Sequence, residues 1–391
     1  MKVFCLNKIS PVGLKVLPKE YEVSTENIEG ANAIMVRSAA MHEMTLPESV
    51  LCVARAGAGV NNIPLDRFAE EGVVVFNTPG ANANAVKELT IAMMLLAARD
   101  LRGSMEWVKE NKGDELINKS MEKAKGAFAG TEILGKTLGV IGCGAIGALV
   151  ADSASKLGMR VLGVEPSEAT VERNKELLKT TKIVSLDEML KEADYITVHV
   201  PLLDATKGMV NAEFLAKSKD GVIIINAARD ALVNDDDMKV ALESGKVRRY
   251  VTDFPNYKTA NMNGVVAISH LGASTEEAED NCAAMAAEEI VNFVENGNVI
   301  NSVNYPRIDL GPRGSAKRLV VLHKASLNSN EILKAVGEVK NIIKSASGVK
   351  GDYAATLVEF EPKEGIEKCA REAVNQLPGV LKVRPIHKCC E

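Results

Sequence analysis

The chain has 391 residues, which at about 150 residues per domain predicts two or three domains. Its 46% hydrophobic and 25% charged residues exclude a mainly disordered chain, which would lack the apolar surface to offset its ordering entropy. A net charge of −5 without any strongly basic block disfavours a nucleic-acid partner, because phosphate binding needs a basic face.

The chain opens with an apolar strand over Met1 to Asn7, with no charged leader ahead of an apolar core, so a cytoplasmic location is expected. The buried-strand runs Val3 to Leu6, Ala33 to Val36, Cys52 to Ala54 and Val73 to Phe76 alternate with helical patterns, the βαβ rhythm of a doubly wound parallel sheet. A long apolar helix follows over Asn84 to Arg99. Its longest apolar stretch, Leu89 to Ala98, is half of the roughly 20 residues that a membrane span requires, and no membrane association is expected. The lysine-rich segment Arg102 to Gly130, which holds the only tryptophan, reads either as a solvated linker or as an arm that packs on a second subunit.

The alternation restarts at Lys136, with buried runs at Leu138 to Ile141, Arg160 to Val164, Tyr195 to Val198, Val222 to Ile225 and Val265 to Ile268. Two such α/β units predict two Rossmann-like lobes with a cleft between them, a usual place for ligands. Cys282 to Val294 is alanine-rich and helical, and a Pro- and Gly-punctuated segment follows Asn301. The last stretch reads strand (Arg318 to His323), helix (Ser329 to Glu338), strand, strand (Tyr353 to Phe360), helix (Lys363 to Leu377), strand (Val380 to Ile386). That βαββαβ order predicts a small ferredoxin-like domain. The expected fold is therefore α/β: two doubly wound parallel-sheet lobes plus this C-terminal domain. Residues 1–99 with 284–305 and residues 100–283 form the lobes, 306–316 a linker and 317–391 the last domain.

Seven cysteines (Cys5, Cys52, Cys143, Cys282, Cys369, Cys389 and Cys390) are scattered without a CxxC pair, so neither a disulfide framework nor a metal site is expected. The adjacent Cys389 and Cys390 read as an inert, exposed tail.

The strongest chemical signal is Gly142-Cys143-Gly144-Ala145-Ile146-Gly147, which follows a buried strand and opens a helix at Ala145 to Leu157. In that context the first glycine permits a tight turn, the second lets a pyrophosphate approach the backbone, and the third allows close helix–strand packing. The amides at the helix start, at Ala145 and Ile146, face the anion. Glu165 closes the next strand, 18 residues past Gly147. A carboxylate there accepts from both ribose hydroxyls and repels a 2′-phosphate, which points to NAD over NADP.

Several further segments carry a resemblance. Gly130-Thr131-Glu132 through Gly142, Asn226-Ala227-Ala228-Arg229 and His270-Leu271-Gly272-Ala273-Ser274 resemble the D-isomer-specific 2-hydroxyacid dehydrogenases. Arg55 to Val60, Asn77-Thr78-Pro79-Gly80 and the C-terminal domain are most similar to the branch that acts on 3-phosphoglycerate. The resemblance implies oxidation of a 2-hydroxy acid. Arg229 clamps the carboxylate with its planar, permanently charged fork, and His270 takes the hydroxyl proton near neutral pH. It further implies that Val200, Pro201, Ala227, Ala228, Asp253, Gly272 and Ala273 join Arg229 and His270 around the cofactor. Arg37, Ser38 and Arg55 would hold the substrate phosphate, and the amides of Ala58, Gly59 and Val60 its carboxylate.

His199 is a rival base, for which a structural or cofactor-adjacent role is expected. His42, His323 and His387 are expected at the surface. The chain departs from the family twice. Where a glutamate pairs with the catalytic histidine, an ungapped count lands on Lys258, and no glutamate lies between Asp253 and His270. Where the family's RSxTK pattern has lysine, this chain has Met41. The last domain resembles an ACT domain, which implies pairing and an amino-acid effector, although Ser326 to Asn330 lacks the usual loop glycine. The family also implies at least a homodimer, or a homotetramer. Two rival functions stay open: a reductase of glyoxylate, hydroxypyruvate or another small 2-oxo acid, and a non-enzymatic NAD-sensing binding protein.

Overall fold

The computed structural model describes residues 1–338, 341–362 and 366–386. His387, Cys389, Cys390 and the expected helix start at Lys363 lie outside the described residues. The chain divides into two compact units, one of Met1–Asn82 with Glu276–Glu391 and one of Ala83–Thr275.

In chain order, β1 (Lys2–Cys5), β2 (Glu22–Ser24), β3 (Ala33–Val36), β4 (Cys52–Arg55) and β5 (Val74–Phe76) form a parallel sheet in the order β2-β1-β3-β4-β5. The second unit holds β6 (Thr137–Ile141), β7 (Arg160–Val164), β8 (Thr181–Ile183), β9 (Tyr195–Val198), β10 (Val222–Asn226), β11 (Val247–Thr252) and β12 (Val265–Ala267). Their order, β12-β11-β10-β9-β6-β7-β8, reverses direction between β6 and β9. β6, β9 and β10 are buried at every residue, as strands covered on both faces must be, which explains their near-continuous apolar runs.

Three strands escaped the sequence reading. β2 and β8 are short, mostly exposed edge strands with no apolar run. β11 sits inside the sheet, but Arg248 and Arg249 interrupt its apolar residues.

Residues 101–128 fold as helices Leu101–Glu110 and Ile117–Ala124 followed by a 3-10 turn, Lys125–Phe128. Neither helix buries a residue, and Met105, Val108, Leu116 and Met121 stand out into solvent. Among the described residues no helix is long and apolar enough to cross a membrane.

In the first unit the chain continues with β13 (Lys317–Lys324), β14 (Ile342–Lys350), β15 (Tyr353–Phe360) and β16 (Val380–Ile386). These form an antiparallel sheet in the order β14-β15-β13-β16. The period of two divides β13 between two cores. Leu319 and Val321 pack with the helices Ser329–Gly337 and Ile366–Asn375, whereas Val320 and Leu322 pack with Cys52, Ile290 and Phe293. His323 falls on the first of these faces. It is therefore fully buried rather than at the surface, with its ring nitrogens 3.0 Å from Thr356 Oγ1 and 2.9 Å from the Lys324 carbonyl. His42 is exposed.

The helix Glu276–Asn296 lies against β4, and its last carbonyls have no intrahelical partners. Guanidinium groups of the last sheet satisfy them: Arg384 donates to the carbonyls of Phe293 and Val294, and Arg318 to that of Asn296. Arg318 is fully buried and pairs with Glu359 at 2.7 Å. The C-terminal sheet thereby fixes the helix that carries Glu279 and Cys282.

Candidate active site

In open parallel sheets, ligands bind beyond the carboxyl ends of the strands where the strand order reverses. In the seven-stranded sheet that place lies past β6 and β9, where the chain runs Gly142 to Gly147 and His199 to Pro201. Gly142 has φ 86°, and a Cβ on it would meet the His199 carbonyl oxygen at 2.8 Å and Val200 Cγ1 at 2.9 Å. A Cβ on Gly147 would lie 1.9 Å from the Gly142 carbonyl oxygen. Around Gly144, by contrast, nothing lies within 4 Å of where a Cβ would be. The outer two glycines are thus required by the fold, and the middle one borders open space. The first intrahelical bond of Ala145–Lys156 runs from Ala148 to Gly144, which leaves the amides of Ala145, Ile146 and Gly147 pointing out of the helix start.

Glu165 bends over this loop. Its carboxylate accepts from the amides of Cys143 and Ser167, each at 3.0 Å. Burial, aided by Glu165, pushes the Cys143 thiol up to about 12, so it stays protonated and inert. Arg173 closes the helix Glu168–Arg173.

Asn226 ends β10 and folds the next turn onto itself. Its Oδ1 accepts from the amides of Ala228 and Arg229 at 3.0 and 3.3 Å, and its Nδ2 donates to the Arg229 carbonyl at 2.7 Å. Arg229 is exposed, with its guanidinium carbon 5.5 Å from the centre of the Phe254 ring. The same ring lies 4.3 Å, centroid to centroid, from the exposed His270. Phe254 thus sits between the two residues expected to do the chemistry, a role the sequence reading did not give it.

Asp253 is fully buried beneath the loop of His270. Its Oδ2 accepts from the Gly272 amide at 3.1 Å. Burial raises its carboxyl pKa, while the loop amides and the charge of His270 pull the other way. The other oxygen, Oδ1, is buried with no partner among the described residues. Lys258 points elsewhere, pairing with Asp236 at 2.7 Å. The carboxyl of Asp253 feels the charge of His270, and the sequence reading left the acid that pairs with this histidine unassigned.

His199 shares a hydrogen bond of 2.9 Å between Nε2 and Thr197 Oγ1. Burial holds its pKa down at about 4, so at neutral pH its ring is uncharged and a poor proton acceptor.

The five-stranded sheet reverses between β1 and β3. Asn7, just past β1, accepts from the Arg37 amide at 2.9 Å and donates to Ser38 Oγ at 3.3 Å. Arg55 ends β4. The following loop is tied down by Asn77, which donates to the Ala58 carbonyl at 2.7 Å, and by Thr78, whose amide donates to the Gly57 carbonyl. Among the described residues the amides of Ala58, Gly59 and Val60 donate to nothing. They form a run of three open donors of the kind that binds anions. Met41 is fully buried in the core with Val36 and Phe68 and adds no cation. The sequence reading also missed Glu279, whose Oε1 lies 2.7 Å from Arg37 Nη2.

Residues 91–272 match the family described as D-isomer specific 2-hydroxyacid dehydrogenase, NAD binding domain. Hydroxypyruvate reductase of Thermotoga maritima is 35% identical over 293 residues, 70% of this chain and 90% of that protein. D-3-phosphoglycerate dehydrogenase of Bacillus subtilis is 34% identical over 305 residues, 75% of this chain but 55% of that protein, so the chain spans about half of that relative's length. Among solved structures, NAD⁺-bound 3-phosphoglycerate dehydrogenase of Entamoeba histolytica superposes with a TM-score of 0.60 at 27% identity. The match covers 78% of this chain and 98% of that one.

Proposed function

The chain belongs to the D-isomer-specific 2-hydroxyacid dehydrogenases, NAD-dependent oxidoreductases, and we propose that it oxidises D-3-phosphoglycerate to 3-phosphohydroxypyruvate, the first step of L-serine biosynthesis. The observation that carries this choice of substrate is the pair of cations, Arg37 and Arg55, beside the three open amides past β3 and β4. A phosphorylated acid has two anionic ends to recognise, and a charged fork together with a run of backbone donors meets both.

In this reading the residues divide the work by chemistry. Gly142, Gly144 and the amides of Ala145, Ile146 and Gly147 hold the pyrophosphate of NAD, Glu165 the ribose, and Asp253 Oδ1 the carboxamide. Val200, Pro201, Ala227, Ala228, Gly272 and Ala273 line the same place. NAD, when bound, supplies the acceptor for the hydride that leaves the α-carbon. Arg229 holds the carboxylate and opposes the charge that develops on the oxidised oxygen. His270 accepts the hydroxyl proton, and Asp253 stabilises the charge it gains. The Ala58 to Val60 amides bind the carboxylate, and Arg37, Ser38 and Arg55 bind the phosphate. Residues 1–82 with 276–305 serve the substrate, 83–275 serve NAD, and 317–391 form an ACT-like regulatory domain joined through 306–316. The outward-facing Met105, Val108, Leu116 and Met121 favour at least a homodimer.

A second reading, reduction of hydroxypyruvate or glyoxylate, draws on Met41 in place of a lysine and on the carboxylate already seated on Arg37. A substrate panel decides between them. With NADH, 3-phosphohydroxypyruvate should be reduced with the highest kcat/KM against hydroxypyruvate, glyoxylate and 2-oxoglutarate. A higher value for an unphosphorylated acid overturns the assignment, and no turnover on any of them favours a binding protein.

A further inference from the structure

The cation site of the first unit contains its own competitor. Arg37 Nη2 is held at 2.7 Å by Glu279 Oε1, and the two side chains keep 39% and 42% of their surface, so a ligand can reach the pair. Glu279 lies in the first turn of the helix Glu276–Asn296, where an acidic residue is ordinary because it complements the helix dipole. Its neighbours give it a more specific meaning. Asp280, the next residue, is occupied by Ser10. Cys282, three residues on and therefore on the same helix face, is buried. Its thiol feels the charges of Arg55, Arg37 and Glu279 together. One helix face thus presents a carboxylate to the strand end where Arg37 presents its guanidinium group.

We infer that Glu279 is a specificity-determining residue, a built-in counter-charge that limits how strongly this site prefers a phosphorylated acid over an unphosphorylated one. This rests on the assignment of Arg37 and Arg55 to the substrate's distal end. The physical reason is a difference in cost between ligands. A phosphate dianion must displace the carboxylate from Arg37 or lie against it with like charge. A hydroxymethyl group or a hydrogen atom at the same place does neither. An exposed ion pair is worth little, so the displacement is readily made and phosphate still binds. It binds more weakly than two uncommitted arginines would hold it, which eases release of a phosphorylated product.

The test compares the wild-type chain with Glu279→Gln and Glu279→Asp. Glu279→Gln keeps the size of the side chain and removes the charge. It should lower KM for 3-phosphohydroxypyruvate about three- to tenfold, a change of one power of ten or less in affinity, and move kcat less than KM. The ratio of kcat/KM for that substrate to kcat/KM for hydroxypyruvate should rise by the same factor. Inorganic phosphate should become a correspondingly tighter competitive inhibitor. Glu279→Asp, which keeps the charge, should stay nearer the wild type on all three readouts. If Glu279 instead holds Arg37 in its productive position, Glu279→Gln will raise KM for the phosphorylated acid and lower the ratio, which overturns the inference, as does an unchanged ratio. A wild-type enzyme with no preference for the phosphorylated acid defeats the underlying assignment first. A preference that Glu279→Gln leaves untouched defeats this inference alone.

Discussion

Past β6 the chain offers backbone donors to a ligand: a glycine turn, open space at Gly144 and the amides of a helix start. Past β3 and β4 it adds side chains, Arg37 and Arg55, to the amide run of Ala58 to Val60, and it sets a carboxylate of its own against one of the cations. The two places suit different ligands. A pyrophosphate common to every dinucleotide can be bound by groups that no substitution short of the glycines alters. A substrate that differs among relatives is read by side chains, which single substitutions retune. On the proposed function, chemistry and cofactor belong to the seven-stranded sheet and choice of substrate to the five-stranded one.

The largest effect should follow the loss of the base. His270→Ala is expected to lower kcat by about a hundredfold to ten-thousandfold, the usual worth of a positioned proton acceptor. Steady-state NADH formation from D-3-phosphoglycerate checks it, and a loss under tenfold removes His270 from that role.

Next comes a pH effect confined to the seven-stranded side. The folded chain holds His199 at a pKa of about 4, below the ordinary 6.5. Below about pH 6.5 the unfolded chain takes up a proton that the folded chain refuses. This contribution is therefore fully present above pH 6.5 and drains away as the pH falls toward 4, by about 3 kcal/mol in all. Urea unfolding at pH 7 and pH 4.5 should show the loss, and His199→Gln should reduce the difference.

The glycines sharpen the contrast between fold and ligand. Gly147→Ala forces a methyl group against the Gly142 carbonyl and should cost about 1–3 kcal/mol of stability. Gly144→Ala meets open space and should leave the melting temperature within a few degrees while weakening NAD binding. Equal melting temperatures for the two variants would show that the loop tolerates both side chains.

The smallest effect concerns Glu165. Its carboxylate over the glycine loop should give NAD at least about a tenfold advantage over NADP in kcat/KM, and Glu165→Ala should narrow it. Equal use of both cofactors by the unmodified enzyme would show that Glu165 does not face the ribose.

How far the sequence discloses such a site depends on what the chemistry demands of it. Gly142, Gly144 and Gly147 are legible because no other residue serves, and the buried strands around them because parallel sheets require unbroken apolar runs. β11 is hidden because Arg248, exposed, and Arg249, half-buried, interrupt its run near the start, ahead of the buried Tyr250, Val251 and Thr252. His323 misleads because histidine carries no mark of burial. Only its register in β13, with Leu319 and Val321, places it inside. Phe254 follows Asp253 directly, yet nothing in the order of residues says that its ring lies between Arg229 and His270. Glu279 reads as an ordinary acidic first-turn residue, because its partner Arg37 belongs to a strand end at the far side of the sequence. Contacts made by backbone geometry are written locally. Contacts made between distant side chains are not.

The division of labour between the two sheets is tested most directly by replacing both cations at once. In the double variant Arg37→Ala, Arg55→Ala, we predict that the ratio of kcat/KM for 3-phosphohydroxypyruvate to kcat/KM for glyoxylate falls by at least about a hundredfold. Each lost charge-assisted contact is worth about 1.5–3 kcal/mol, or roughly ten- to hundredfold. A ratio that stays within about threefold of the wild type would contradict the account, because the five-stranded sheet would then have no part in reading the phosphate.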